Sequence, residues 1–110
     1  MPPSKQPLTG AALKPHYFHA LLAVAAEPAH GYAIKQDIEA RGGGRLDPGS
    51  LYRLIARLLD EGLIREVDDP PGAPVDSRRR YYGITPVGTR TLKAEASRMA
   101  ALVKTVRALR

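Results

Sequence analysis

One stretch, DPGSLYRLIARLLDEGLI at residues 47–64, limits the fold more than any other, because it holds a helix start, a helix stop and a change of hydrophobic period. Asp47 can accept a hydrogen bond from a first-turn N–H, and Pro48 suits the first helical position, where an N–H has no intrahelical partner. Leu51, Leu54, Ile55, Leu58 and Leu59 recur at helical steps and predict a core-facing stripe. Ser50, Arg53 and Arg57 fall together on the opposite side, at ~100° per residue, with Tyr52 on a flank. Gly62 can supply the left-handed residue that ends the helix, and from Leu63 onward LIREVDD alternates with the period of a strand. The chain therefore has to hand an amphipathic helix directly to a sheet, and the question is what the polar side of that helix meets.

The flanking segments supply the other elements. Residues 1–12, MPPSKQPLTGAA, hold three prolines and few apolar anchors, which predicts a flexible arm before an ordered domain over 13–85. Pro15 opens a first helix, with Phe18, Leu21, Leu22 and Ala25 on one face, and EPAHG breaks it. A second helix follows in HGYAIKQDIEAR, with Ile34 and Ile38 inward, and the glycines at 42–44 act as hinge and stop. His30 caps the turn into it. After LIREVDD, the stretch PPGAP is too stiff and too poor in N–H donors for a ladder, so it marks the tip of a hairpin whose second strand is SRRRYYGIT. Thr85 and Pro86 then start a last helix over 86–110. The expected class is α+β, mostly helical: three helices plus a β-hairpin wing, a winged helix-turn-helix, followed by a C-terminal dimerisation helix.

Size and charge narrow the function. A chain of 110 residues buries a modest core and seldom a deep enclosed pocket, which disfavours an enzyme. Seventeen Lys and Arg against eleven Asp and Glu give a formal charge of +6, which suits nucleic acid or another acidic surface. There is no cysteine, so neither a disulfide frame nor a cysteine zinc site is available. No apolar run approaches ~18 residues, and the proline-rich start lacks the apolar core of a signal peptide, so a cytoplasmic protein without a membrane partner is expected.

Two basic clusters carry the functional reading. In a winged helix the third helix enters the major groove and the hairpin touches adjacent DNA. Arg53 and Arg57 lie on that third helix, and Arg78, Arg79 and Arg80 lie in the expected wing strand, where their side chains would alternate between faces. An arginine serves a phosphate or a guanine edge from nearly the same position, so base readers and phosphate contacts are not divided at this stage. Of Tyr81 and Tyr82, one is expected in the core and the other half-exposed. His16 and His19 share a helix face but have no third ligand nearby, so they are read as surface or hydrogen-bonded residues, and no metal or cofactor is expected. GGGR lacks the residues of a phosphate loop, and DPGSL is not a nucleophile elbow.

HGYAIK, PGSLYR, the exit LLDEGLI, and RRYYGIT followed by PVG together resemble the PadR family of bacterial transcriptional regulators, over roughly residues 13–95. The resemblance implies a homodimeric winged-helix repressor of operator DNA, often released by a small-molecule effector. It places Tyr32 and Lys35 at the backbone-facing end of helix two, Ser50, Tyr52 and Arg53 at the start of the recognition helix, and Arg78–Arg80 along the wing. The single C-terminal helix resembles the short subgroup. Some drug-responsive short members stack flat ligands on a tryptophan, and this chain has none.

The last helix has its own pattern. Leu92, Ala96, Met99, Val103 and Val106 follow alternating four- and three-residue steps, widened by Leu102 and Leu109. That seam is assigned to dimerisation, with packing on the chain's own first helix as the simpler use of part of it. A protein-interaction module that docks a larger partner through the same seam is the alternative to a DNA-binding regulator.

Overall fold

The computed structural model describes residues 13–74 and 79–110; the arm expected at 1–12, and Arg78, lie outside the described residues. The order is α1 (Pro15–Ala25), β1 (Ala29–His30), α2 (Gly31–Ala40), α3 (Pro48–Asp60), β2 (Ile64–Val67), β3 (Tyr81–Ile84) and α4 (Pro86–Arg107). The strands form one antiparallel sheet in the order β1-β3-β2, with His30 opposite Tyr81 and Val67 opposite Tyr81 on the other side. The two-residue β1 has no period long enough to be read from sequence, and it makes β3 the central strand.

Local chemistry explains the helix ends. Asp47 Oδ1 accepts from Ser50 N–H at 2.9 Å and Thr85 Oγ1 accepts from Gly88 N–H at 3.0 Å, each cap followed by a proline inside the helix. His30 caps α2 by accepting from Ala33 N–H at 3.2 Å. At the far end of α3, Gly62 takes φ 71°, and Leu63 N–H reaches back to the Leu58 carbonyl at 3.0 Å. That closure turns the chain straight into β2.

The core joins Leu21 and Val24 of α1, Ile34 and Ile38 of α2, Leu54, Ile55 and Leu58 of α3, Leu63 and Ile64, and Leu92 of α4. Two expected stripes shift. On α1 the buried face is Ala20, Leu21 and Val24, while Phe18 and Leu22 are only partly covered and Ala25 is exposed. On α3, Leu59 is exposed and Leu51 partly covered, because the neighbouring helices and sheet cover a face narrower than the leucine pattern. The expected second strand is also too long. Arg79 and Arg80 precede β3 instead of lying in it. Continuing the register would set Arg80 against Asp68 and Arg79 against Asp69, but the chain leaves the ladder after Val67 and turns at Pro70, whose carbonyl accepts from Ala73 N–H at 3.0 Å. Tyr81 is buried and Tyr82 half-buried.

Candidate nucleic-acid interface

The first turns of α3 form a small hydrogen-bonded unit. Ser50 Oγ donates to Asp47 Oδ2 at 2.9 Å, and Arg53 Nη2 donates to Ser50 Oγ at 3.1 Å. The Ser50 N–H and hydroxyl hold the Asp47 carboxyl below its ordinary value, with the Arg53 charge adding to the effect. Tyr52 stands 75% exposed on the same turns. The helix thus presents a hydroxyl, a phenol and a guanidinium at its N-terminal end.

Arg57 is placed differently. Its side chain is 16% exposed and lies 3.9 Å from Glu61 Oε1, along the last turn, where a cation is favoured by the helix dipole. It still lines an open groove of about 620 Å³ with Tyr17, Tyr52 and Arg53. Lys35 on α2 is also engaged: its Nζ lies 3.1 Å from Glu39 Oε1, while Glu39 Oε2 accepts from Leu46 N–H at 2.9 Å and so ties α2 to the approach of α3. The Leu46 N–H, then Lys35, draw the Glu39 carboxyl below its ordinary value.

The wing side gathers Tyr32, Arg79, Arg80 and Tyr82 around a groove of about 260 Å³ that opens beside His30. Tyr32 is 61% exposed. Arg80 Nη1 lies 3.0 Å from Glu66 Oε1, an exposed pair between β2 and the residue that leads into β3. Burial, with the Arg79 charge adding, lowers the His30 pKa, and the ring packs edge-on against Tyr81 with centroids 5.4 Å apart. The Tyr82 hydroxyl is pushed above its ordinary value by burial and by Glu66, and Tyr52 on α3 is close enough to contribute.

The structure therefore brings Ser50, Tyr52 and Arg53 together at one helix end, and Tyr32, Arg79 and Arg80 together at the wing. The residues of the C-terminal seam are divided. Leu92 is covered by its own chain's core, Met99 is half-buried, and Ala96, Val103 and Val106 are exposed; the buried residues of α4 are Gly88, Leu92 and Glu95, all in its first half. Residues that sequence reasoning passed over also line this face. Lys14, His16 and Tyr17 share with Ser50 and Arg53 a groove of about 430 Å³, and His16 Nε2 holds the Gly43 carbonyl at 2.7 Å. Only the folding of α1 against α3 creates that proximity, so no local pattern signals it. Among the described residues no group of three or more His, Asp or Glu is placed to hold a metal ion, and no helix is long and apolar enough to cross a membrane.

Comparison with known proteins agrees with this architecture. A PadR family transcription regulator of Clostridium difficile matches with a TM-score of 0.72 at 20% identity, over 86% of this chain and 96% of the other. A PadR-like transcriptional regulator of Bacillus cereus matches with a TM-score of 0.70 at 25% identity, over 83% of this chain and 86% of the other. An uncharacterized 37.1 kDa protein of transposon TN4556 from Streptomyces fradiae is 43% identical over 82 residues, which are 74% of this chain and 22% of that protein. The chain thus spans about a fifth of that relative's length. The model of the transcriptional regulator PadR-like family matches residues 20–94, across all the elements from α1 into α4. A winged helix with its basic side chains at the third helix and the wing, matched over that span, makes the chain a member of the PadR-like family of transcriptional regulators, which are not enzymes.

Proposed function

We propose that the chain is a sequence-specific DNA-binding repressor that works in the cytoplasm as a homodimer on an inverted-repeat operator. Ser50, Tyr52 and Arg53 enter the major groove from the N-terminal end of α3. Tyr32, Lys35 and Arg57 face the backbone on either side, and Arg78, Arg79 and Arg80 hold the wing to phosphates or to a minor groove. Lys35 and Arg57 reach phosphate by exchanging their carboxylate partners, so their contribution is smaller than that of Arg53. Ala96, Met99, Val103 and Val106 meet a second copy, while Leu92 serves the core beneath them. Release by a small-molecule effector is the form of control that the family resemblance implies.

The observation that carries this reading is the pairing of exposed Tyr52 and Arg53 on the first turns of α3 with a separate basic, tyrosine-lined groove at the wing. A duplex recovered from a random pool, and a scrambled version of it, test the proposal. Arg53→Ala lowers affinity for the selected duplex by about 1–3 kcal/mol and relaxes preference at one position. Arg79→Ala weakens both duplexes alike and makes the slope of log K against log salt shallower by ~0.9, the change expected when one phosphate is no longer neutralised. Wild-type protein that binds no duplex in a salt-dependent way overturns the reading and favours the partner-docking module.

A further inference from the structure

Gly49 is a helical residue whose backbone does not require glycine. Among the described residues the glycines with positive φ are 42, 44, 62 and 72, and position 49 is not among them. Glycine is also among the poorest helix formers, so its presence in the first turn of α3 needs another reason. The reason is space. A Cβ at position 49 would lie 3.3 Å from Arg53 Nη1 and 3.3 Å from Asp47 Oδ1, closer than such atoms ordinarily sit. The guanidinium of Arg53 is folded back over the N-terminal end of its own helix, through the room that the missing side chain leaves.

One hydrogen bond, itself backed by a second, holds it there. Nη2 donates to Ser50 Oγ at 3.1 Å, and Ser50 Oγ donates in turn to Asp47 Oδ2 at 2.9 Å. A cation at the positive end of a helix dipole is unfavourable by itself. Asp47, anchored as the cap by the Ser50 N–H, supplies the opposing charge at that spot. We propose that Asp47, Gly49 and Ser50 form a seat that presets the Arg53 fork before DNA arrives, which makes Gly49 and Asp47 positioning residues for sequence discrimination although neither reads a base.

The consequence is entropic. Arginine has much rotamer freedom to lose, and a planar fork already oriented loses less of it when it meets the two acceptors of a guanine edge. Filling the seat returns that cost to the binding step. Alanine is the better helix former, but the same Cβ presses on the Asp47 cap, so the two effects on α3 oppose each other while the effect on recognition has one sign.

This inference rests on the proposal that Arg53 faces DNA, and the experiment separates the two. Thermal melting of the free protein is measured beside affinities for the selected and scrambled duplexes. Gly49→Ala leaves the protein folded with a Tm near that of wild type, weakens binding to the selected duplex by about three- to tenfold, and leaves the scrambled duplex unchanged. In an Arg53→Ala background the same substitution has no further effect. Asp47→Asn, which keeps a capping side chain but removes the charge, lowers the ratio of selected to scrambled affinity in the same way. A Gly49→Ala protein that binds the selected duplex like wild type overturns the inference. So does a loss that persists in full without Arg53, since the added methyl would then be meeting DNA itself. If Arg53→Ala leaves selected binding intact, the proposal that Arg53 reads DNA falls first and takes the seat with it.

Discussion

The two halves of α4 carry one apolar repeat in opposite surroundings. From Pro86 to Arg98 the helix is built into the domain: Gly88, Leu92 and Glu95 are buried, and Leu92 belongs to the central core. Beyond it, Leu102 is 52% exposed and Val106 63% exposed, with Val103 and Leu109 also open. The sequence pattern is continuous across the change. A hydrophobic period states which side of a helix is apolar, and only tertiary structure states what covers that side. Substitutions along α4 should therefore fall into two classes, one acting on folding at any concentration and one acting only through assembly.

The largest effect is expected at Gly88. Thr85, the cap of α4, donates its hydroxyl to the Gly62 carbonyl at 2.6 Å and its N–H to the Leu63 carbonyl at 3.1 Å. This draws the helix start so close to β2 that a Cβ at position 88 would lie 2.0 Å from the Leu63 oxygen, which is backbone and has little room to yield. Gly88→Ala should destabilise the fold by about 3 kcal/mol, read as a drop in denaturant midpoint that is the same at low and high protein concentration. Wild-type stability in this variant would show that the proximal half is less tightly docked than its contacts indicate.

Glu95 comes next. Its Oε2 accepts from the Leu13 N–H at 2.7 Å, a buried link from α4 to the segment leading into α1, and Arg98 braces the carboxylate with two further hydrogen bonds, from Nε to Oε1 at 2.5 Å and from Nη2 to Oε2 at 3.1 Å. Glu95→Ala leaves the Leu13 N–H buried without this acceptor, at a cost of about 1–3 kcal/mol. The pH dependence has a definite sign. Arg98 first, and then the Leu13 N–H, hold the folded carboxyl below its ordinary value of 4.5, so the stabilisation is complete above that value. It is lost as pH falls through the folded value. Wild-type and variant stabilities should therefore converge in acid, and parallel curves down to low pH would remove the charged form from the account.

Most of the architecture was legible because it rests on local rules. Asp47–Pro48, Thr85–Pro86 and Gly62 each announce a helix boundary through the hydrogen bond or φ value that the boundary needs, and Ile34 and Ile38 announce a face. The errors arose where long-range structure overrode local preference. Arg79 and Arg80 look like strand residues until the turn at Pro70 takes their partners away. Glu95 carries no local signal of its role, because its partner Leu13 lies 82 positions away. At the candidate interface, Ser50, Tyr52 and Arg53 could be placed by helical geometry alone. Lys14, His16 and Tyr17 could not, because their nearness to Arg53 exists only after α1 has packed on α3. Arg57 shows the limit of helical geometry even there: its angular position is as expected, but its long side chain lies down toward Glu61.

The smallest effect on folding belongs to the distal half, where Val106→Lys tests the proposed homodimer directly. Because Val106 is exposed, the substitution should change the stability of a single chain by no more than about 0.5 kcal/mol. It should still place a charge in the seam between two copies. The expected signature is a wild-type protein whose Tm rises with concentration and whose light-scattering mass is that of a dimer, beside a variant whose Tm does not depend on concentration and whose mass is that of a monomer. On an inverted repeat the variant should bind each half-site independently, because the linkage that makes the second contact intramolecular is gone. If wild type and Val106→Lys have the same mass at every concentration, the distal stripe does not join two copies of this chain, and its exposed leucines and valines instead fit a different protein partner. Either result separates the two halves of α4, since no change at Val106 should reproduce the concentration-independent loss expected at Gly88.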